Sequence, residues 1–574
     1  MENILFYDYE SFIKDWLVVI LDTTAKQKTV IINDREQLIE FHEKHQDEIW
    51  VGYNNNHYDQ YIHKAIICGF DPHEVNEFII TQNNPGWKFS SLFRKVKMIN
   101  YDVMIRGDGG LKTLEGFLGT NIKESKIPFD IKRKLTAAEI EETVAYCTHD
   151  VENTLQVFLN RKSDFEAQMQ LAKLASNDGL NLYYLSRTKA QMAAIILGAN
   201  KHEYSDEFKI DFPKTLKLEK YTNVLDWYKN PENRDYTKRL ETDIAGVPHI
   251  FAWGGVHGAK KQYFGEGYYL NMDVTSLYPS LMIQYDLMSR SVPEPKKFEE
   301  IYKTRVKYKR EKNPLQAPLK IVINSTYGAM KDRNNALYDP REANRVCIYG
   351  QLLILDLIEK LEDHCEIIQS NTDGILIKMK HYEDYNMIDD IAYEWEQRTG
   401  LNLEFSEYRK VFQKDVNNYV MVAADGHVKT KGGYVKKLNP LDNDLPIINK
   451  ALNDYFVYQV PIEATINGCD DLEQFQLVAK LSYKYKYFTL NGEIIPERCV
   501  RVFASNEQNS GMLLKFHATT GRPAKFPNSP QKCFLWNDEI KNQPVPSELD
   551  KQWYIDLANK RLEQFGVENN GATV

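Results

Sequence analysis

Acidic residues recur in this chain at spacings that let two or more of them reach one divalent cation. Asp8-Tyr9-Glu10 ends an apolar run, and in a strand of period two both carboxylates project from one face. Asn55-Asn56-His57-Tyr58-Asp59 follows another apolar run, and Tyr146-Cys147-Thr148-His149-Asp150 lies in a helix-like segment. On a helix Tyr146 and Asp150 stand at i and i+4, so a hydroxyl and a carboxylate reach the same point. Further along, Asp273-Val274-Thr275-Ser276-Leu277-Tyr278-Pro279-Ser280 joins a strand end to a helix start, with Ser276 placed to cap and Pro279 tolerated in the first turn. That geometry sets Asp273 beside free helix N–H groups, where a metal-bound triphosphate could be held. Lys320, Asn324 and Tyr327 form one stripe of a helix at i, i+4 and i+7, and Arg305 and Lys309 repeat the i, i+4 spacing just upstream. Ile367 to Ile377 reads as a β-hairpin whose apolar arms meet at an Asp373-Gly374 turn, preceded by Asn371 and Thr372. Each signal has a plainer reading taken alone: an acid pair is frequent by chance, a helix lysine is usually solvated, and Asp-Gly is a common turn.

The elements that must position these groups alternate in type. From Ile4 to about residue 190, apolar runs (Ile4 to Tyr7, Leu17 to Leu21, Thr29 to Ile32, Glu48 to Gly52) alternate with helix-like segments such as Arg35 to His45, Thr113 to Leu118 and Ala137 to Asn160, which predicts an α/β domain. A second body opens near Trp253-Gly254-Gly255, with a strand over Tyr268 to Val274, a helix over Ser276 to Gln284, and another strand over Asn417 to Val422. Neither an internal repeat nor a low-complexity tract is evident. With 574 residues, 43% of them hydrophobic and 27% charged, the chain is long enough for several cores and is not disordered. No apolar stretch approaches the roughly 18 residues of a membrane span, and the N-terminus lacks a signal-peptide pattern, so a cytoplasmic, non-membrane protein is expected. Seven scattered cysteines without a Cys-x-x-Cys pair argue against a disulfide framework and a structural zinc site. The net charge of −9 hides a basic stripe: Lys303 to Arg345 holds eleven Lys or Arg against four Asp or Glu, a local charge of +7.

The order of the acidic groups, Asp-x-Glu, then Asn-x-x-x-Asp, then Tyr-x-x-x-Asp, resembles the three exonuclease motifs of proofreading DNA polymerases, which sit on an RNase H-like sheet. The resemblance implies that Asp8, Glu10, Asp59 and Asp150 hold two Mg²⁺ ions and that Tyr146 orients the attacking water. It also implies that Asn55, Tyr58, Thr113, Leu114 and Lys126 contact the strand end. The string from Asp273 to Ser280 is similar to motif A of family B DNA polymerases. There the Asp binds both catalytic metals, joined at the site by the carbonyl of the next residue, Val274, and by Ser276 and Leu277; the Tyr, here Tyr278, excludes a 2′-hydroxyl. Lys320 to Gly328 resembles motif B, whose lysine binds the triphosphate, with Asn324 and Tyr327 at the nucleotide and Arg305 and Lys309 adding phosphate contacts. Asn371-Thr372-Asp373 resembles motif C, with Asn371 in place of the family's first acid and Asp373 as the metal ligand. Lys484-Tyr485-Lys486-Tyr487 is similar to the element that holds the primer strand, through Lys484, Lys486 and Tyr487, and Gly254-Gly255 stands where many members keep Tyr-x-Gly-Gly.

The fold so implied is α/β and α+β multidomain, an RNase H-like exonuclease domain followed by a right-hand palm, fingers and thumb polymerase. Its expected bounds are residues 1–185 for the exonuclease domain, 186–250 for a connector, 251–295 for the first part of the palm, 296–345 for the fingers, 346–444 for the second part of the palm, and 445–574 for the thumb and C-terminal region. The resemblance is closest to compact bacteriophage replicases. Only 47 residues separate Asp273 from Lys320 and 45 separate Gly328 from Asp373, so the long insertions of protein-primed phage enzymes are absent from those intervals. It implies templated DNA synthesis with 3′-to-5′ proofreading in phage genome replication, two Mg²⁺ per site with Mn²⁺ as substitute, and primer-template DNA, dNTPs and single-stranded DNA as partners. A monomer is expected, with helicase, single-strand-binding protein and primase as candidate partners. Two other readings fit the same residues, a 3′-to-5′ exonuclease with an inactive polymerase half, given Asn371, and a non-catalytic DNA-binding replication factor.

Overall fold

The computed structural model describes residues 3–176 and 179–567, which divide into two compact units. The first comprises residues 1–187, 438–446 and 469–554, and the second 188–437, 447–468 and 555–574. The C-terminal stretch expected as one region, 445–574, is therefore shared between the units.

In the first unit, β1 (Ile4–Ser11), β2 (Trp16–Asp22), β3 (Gln27–Ile32), β4 (Ile49–Gly52) and β5 (Ile99–Asp102) form a sheet of order β3-β2-β1-β4-β5. Antiparallel pairing joins the first three, and β4 and β5 run parallel to β1. This is the RNase H-like arrangement. The apolar alternation of β1 and β2 puts Phe6, Leu17 and Val19 in one core with Cys147 and Val151, and Leu5, Tyr7, Val18 and Ile20 in a second core with Ile62 and Trp50. Sandwiching the sheet in this way fixes the C-terminal half of β1, where Asp8 and Glu10 lie. The Ala137–Asn160 helix carrying Asp150 begins at a capping box, Thr136 with Glu139. Residues 469–554 add a three-stranded sheet (Leu477–Lys480, Cys499–Ala504, Cys533–Leu535) and a four-stranded one (Tyr485–Leu490, Glu493–Ile495, Leu514–His517, Pro523–Lys525).

The second unit is built on β6 (Arg239–Ile244), β7 (Val247–Ala252), β8 (Gly255–Ala259), β9 (Tyr263–Val274), β10 (Glu366–Ser370), β11 (Gly374–Met379), β12 (Leu403–Asp415), β13 (Asn418–Val422) and β14 (Val428–Lys431), in the order β14-β13-β12-β9-β11-β10-β8-β7-β6. Every pairing in it is antiparallel. The helices Lys296–Arg310 and Gln316–Lys331 pack on one another, and the Pro340–Leu361 helix, almost entirely buried, packs against Leu277–Gln284. Mixed α/β and α+β bodies are thus observed, as read from the sequence. Among the described residues no helix is long and apolar enough to cross a membrane. All seven cysteines are free, and five of them are buried.

Candidate functional site

Two acidic centres occur, one in each unit. In the first unit, β1 carries Asp8 and Glu10 in its C-terminal half, the Asp59–Cys68 helix starts at Asp59, and the Ala137–Asn160 helix brings in Asp150; all four line one cavity of about 750 Å³. The Asp59 carboxylate accepts a hydrogen bond from the Tyr9 backbone N–H at 3.2 Å, which ties the helix start to the strand end. Burial raises all four acids: Asp59 is pushed up to about 7 and Asp150 to about 6, and Asp8 and Glu10 also rise, with repulsion within the set adding at Asp8, Glu10 and Asp59 and repulsion from Glu115 adding at Asp150. Such a set is costly as four anions and becomes favourable around divalent charge, so the donor chemistry fits metal ions. Cys147 lies within ligand reach of Asp8 and Glu10. Burial raises its thiol far above the ordinary range, and it donates to the Asp8 carbonyl at 3.3 Å. It therefore serves as a neutral buttress.

One cation already reaches this centre, and sequence reasoning did not find it. The Lys112 ammonium bonds to the Asp150 carboxylate and to Glu115 at 3.1 Å, and sits 4.5 Å from the centre of the Tyr146 ring. Glu115 is fully buried and faces His149 at 3.7 Å as well, so the Glu115, His149 and Asp150 cluster is satisfied by a lysine. The lysine adjoins Thr113-Leu114 in sequence, but a lone helix lysine gives no signal by type or spacing.

Four of the residues expected at the strand end lie away from the lining of this cavity. Asn55 is fully buried, and its amide donates to Asn100 Oδ1 and to the Tyr101 carbonyl, both at 3.1 Å, while its Oδ1 has no partner among the described residues; the adjacent Asn54 lines the cavity. The helix expected to open at Thr113 begins at Leu111, which turns Leu114 into the core and leaves Thr113 donating to the Gly109 carbonyl at 3.2 Å, while Gly109, Gly110 and Leu111 line the cavity. Lys126 is exposed and lines a separate cavity that also includes Tyr146. Tyr58 does line the acidic cavity, and its hydroxyl donates to Asn76 Oδ1 at 2.8 Å.

In the second unit the two central aspartates arrive on adjacent strands. Gly374 of β11 is the register partner of Asp273 on β9, and the Val274 N–H donates to the Asp373 carbonyl at 2.6 Å. Gly374 is glycine for a steric reason: a Cβ there would overlap the Asp273 carboxylate and lie 2.9 Å from the Met272 carbonyl. Desolvation, followed by repulsion from Asp273, raises the Asp373 carboxyl. The expected Asp-Gly turn is instead a loop over 371–373, with Gly374 already in the strand. Asn371 shapes that loop, its Oδ1 accepting from the Asp373 N–H at 3.1 Å. Ser276 is not a cap; it adopts φ 49°, ψ 53° and makes no side-chain capping bond, bending the chain from β9 into the Leu277–Gln284 helix. A cavity of about 240 Å³ there is lined by Ser276, Leu277, Tyr278, Asn324, Tyr327, Thr372 and Asp373. The Tyr278 and Tyr327 rings pack 4.1 Å apart.

Lys320 and Lys309 are exposed, and among the described residues neither they nor Arg305 enter an ion pair; the Arg305 Nε is buried without a partner. Gly255 brings its backbone beside Thr372, where a Cβ would meet Oγ1 at 3.7 Å, while Gly254 faces open space. Lys429 of β14, absent from the sequence reading, donates to Asp273 Oδ2 at 2.8 Å. Lys484, Lys486 and Tyr487 belong to the first unit, with Tyr487 stacked on Phe516 at 5.2 Å.

No protein-family model matches the chain. It is similar to DNA polymerase 1 of Sulfurisphaera ohwakuensis, 27% identical over 201 residues, covering 34% of this chain and 22% of that protein. It is also similar to DNA polymerase 1 of Saccharolobus solfataricus, 25% identical over 300 residues, covering 46% and 32%. A third similarity is to DNA polymerase 1 of Aeropyrum pernix, 26% identical over 245 residues, covering 36% and 24%. The matches thus span less than a third of the length of these relatives. A solved structure of the family B DNA polymerase from the hyperthermophilic archaeon Pyrobaculum calidifontis aligns with 100% of this chain and 79% of its own, at a TM-score of 0.43 and 13% identity.

Proposed function

We propose that the chain is a family B DNA polymerase with a separate 3′-to-5′ proofreading exonuclease. The observation that carries the reading is the β9–β11 pairing, which brings two aspartates a hundred positions apart to one strand end, where Asp373 shares a cavity with Asn324 and Tyr327 of the Gln316–Lys331 helix. In this reading residues 251–295 and 346–444 form the palm, 296–345 the fingers, and 1–185 the exonuclease domain. The similarity to archaeal DNA polymerase 1 proteins supports it. A compact phage replicase is the form proposed, which the chain's size fits.

Asp273 and Asp373, with the Val274 carbonyl, would hold Mg²⁺ in the polymerase centre, and Asp8, Glu10, Asp59 and Asp150 would hold it in the nuclease centre. When bound, the ions supply Lewis acidity and charge neutralisation for attack on a phosphorus atom. The chain's own residues do the positioning. Asn371, standing where the family has an acid, keeps the 371–373 loop bent, so that the Asp373 backbone is held while its carboxylate stays available. Tyr278, braced by Tyr327, closes the floor of the cavity where a sugar would rest, and so would exclude a 2′-hydroxyl. Lys320, Arg305 and Lys309 supply uncommitted positive charge for a triphosphate. At the nuclease centre Lys112 balances Asp150 and lies over Tyr146, holding both in place. Primer-template DNA, dNTPs and single strands are the proposed partners, with the protein acting as a monomer in the cytoplasm.

Extension of a primer on a defined template, with dNTPs and Mg²⁺, tests the reading. Incorporation directed by template sequence and lost in Asp373→Ala is expected. Extension that persists undiminished in Asp373→Ala contradicts it, and degradation without any extension favours the nuclease-only reading that Asn371 leaves open.

A further inference from the structure

The acidic cavity of the first unit is not walled by residues 1–187 alone. Lys480, Tyr483 and Arg498 line it together with Asp8, Glu10 and Asp150, although they follow Asp150 by at least 330 positions. Their placement is built. Lys480 donates to the Gly109 carbonyl, and its ammonium occupies the space that a side chain at Gly110 would fill, Gly110 having φ +100°. Arg498 donates to the carbonyls of Ser482 at 3.4 Å, Tyr485 at 3.3 Å and Lys486 at 3.1 Å, while its backbone N–H bonds to Glu124 at 2.9 Å. The turn 481–485 is therefore held on one side by Lys480 and on the other by the bonds of Arg498 to Ser482 and Tyr485. Tyr483 at its tip is 98% exposed and makes no hydrogen bond or ring contact among the described residues.

An aromatic ring held on an anchored segment, open to solvent and flanked by two cations at the rim of an acidic cavity, matches what an unpaired nucleic-acid end needs. Its bases stack on π-faces and its phosphates require positive charge near acids that would otherwise repel them. We propose that Tyr483, set by Lys480 and Arg498, is the platform on which the unpaired 3′-terminal bases of a DNA strand stack as the strand enters this cavity. This rests on the nuclease reading of the cavity and names a strand-binding residue for it, outside the motifs that pointed to that reading.

The test uses the full-length Asp8→Ala protein, so that the strand survives, and a single-stranded oligonucleotide carrying 2-aminopurine at its 3′ end. Stacking quenches the fluorophore. Relative to Asp8→Ala alone, adding Tyr483→Ala is expected to weaken binding by on the order of tenfold and to abolish most of the quench, and adding Tyr483→Trp to restore both. With the acids intact, Tyr483→Ala is expected to raise KM for single-strand degradation while kcat changes little. Because the ring is solvent-exposed, an unchanged melting temperature accompanies these effects. Equal quench and affinity with and without Tyr483 overturns the proposal. If the protein with all acids intact degrades no DNA, the nuclease reading falls, yet the binding comparison still decides on Tyr483.

Discussion

Gly374 shows how little room a single position has at the strand end of the second unit. A methyl group there meets the Asp273 carboxylate, which Lys429 holds, and the Met272 carbonyl, which strand pairing fixes, so Gly374→Ala is expected to reduce primer extension by at least two orders of magnitude. Single-strand degradation, measured on the same preparation, should stay within about twofold. The acids of the first unit make a different residue-scale statement. Asp59 near 7 and Asp150 near 6 are raised above their unfolded values, so the folded protein binds more protons than the unfolded chain between about pH 4 and pH 7. The stability they contribute is fully present below that window and is lost as pH rises through it. In chelator, the melting temperature is therefore expected to fall from pH 5 to pH 7.5, and added Mg²⁺ to restore it most at the upper end, where the ligands are deprotonated. A melting temperature that rises over this range in chelator contradicts the assignment.

At the scale of elements, Arg305 and Lys309 on the Lys296–Arg310 helix and Lys320 on the Gln316–Lys331 helix enter no ion pair among the described residues, whereas Lys303 pairs with Glu299 at 2.7 Å. Lys320→Ala is expected to raise KM for dNTPs about tenfold or more, the loss of one charge-assisted bond, with kcat and melting temperature little changed in steady-state kinetics and thermal scans. These elements were legible because their signals are local. Asp8 and Glu10 sit two apart on a strand, Lys320 to Tyr327 share one helix stripe, and the predicted bounds of Arg35–His45 and Ala137–Asn160 are those observed. Leu114 turns to the core because the helix begins at Leu111, two residues before the expected Thr113, and Asn55 is buried while the adjacent Asn54 lines the cavity. Ser276 misled because its type favours a cap while its backbone is left-handed.

At the scale of the molecule, what escaped the sequence is contact between distant segments. Arg501 is fully buried and donates to Gln476 Oε1 at 3.0 Å and to the carbonyls of Trp536, Asp538, Gly116 and Thr120 at 2.9 to 3.1 Å. Four of its five acceptors are backbone oxygens, which carry no side-chain signature, so nothing in the residue pattern foretells that 469–554 closes onto 1–187. Arg501→Met leaves those carbonyls buried and unpaired, and is expected to cost about 3 kcal/mol or more. Loss of single-strand degradation on heating should then come several degrees earlier than in the parent protein. Lys112 and Lys429 escaped likewise: each reaches its aspartate from another element, Lys112 across to the Ala137–Asn160 helix and Lys429 from β14 to β9.

The claim on which the account depends is that two acidic centres divide two opposite reactions on one DNA end. One labelled primer-template, followed with and without dNTPs in Mg²⁺, measures both reactions for Asp8→Ala and Asp373→Ala. The account requires that Asp8→Ala extends the primer but no longer shortens it, and that Asp373→Ala shortens it but no longer extends it. Loss of both reactions in either correctly folded variant, or of neither in both, would contradict it.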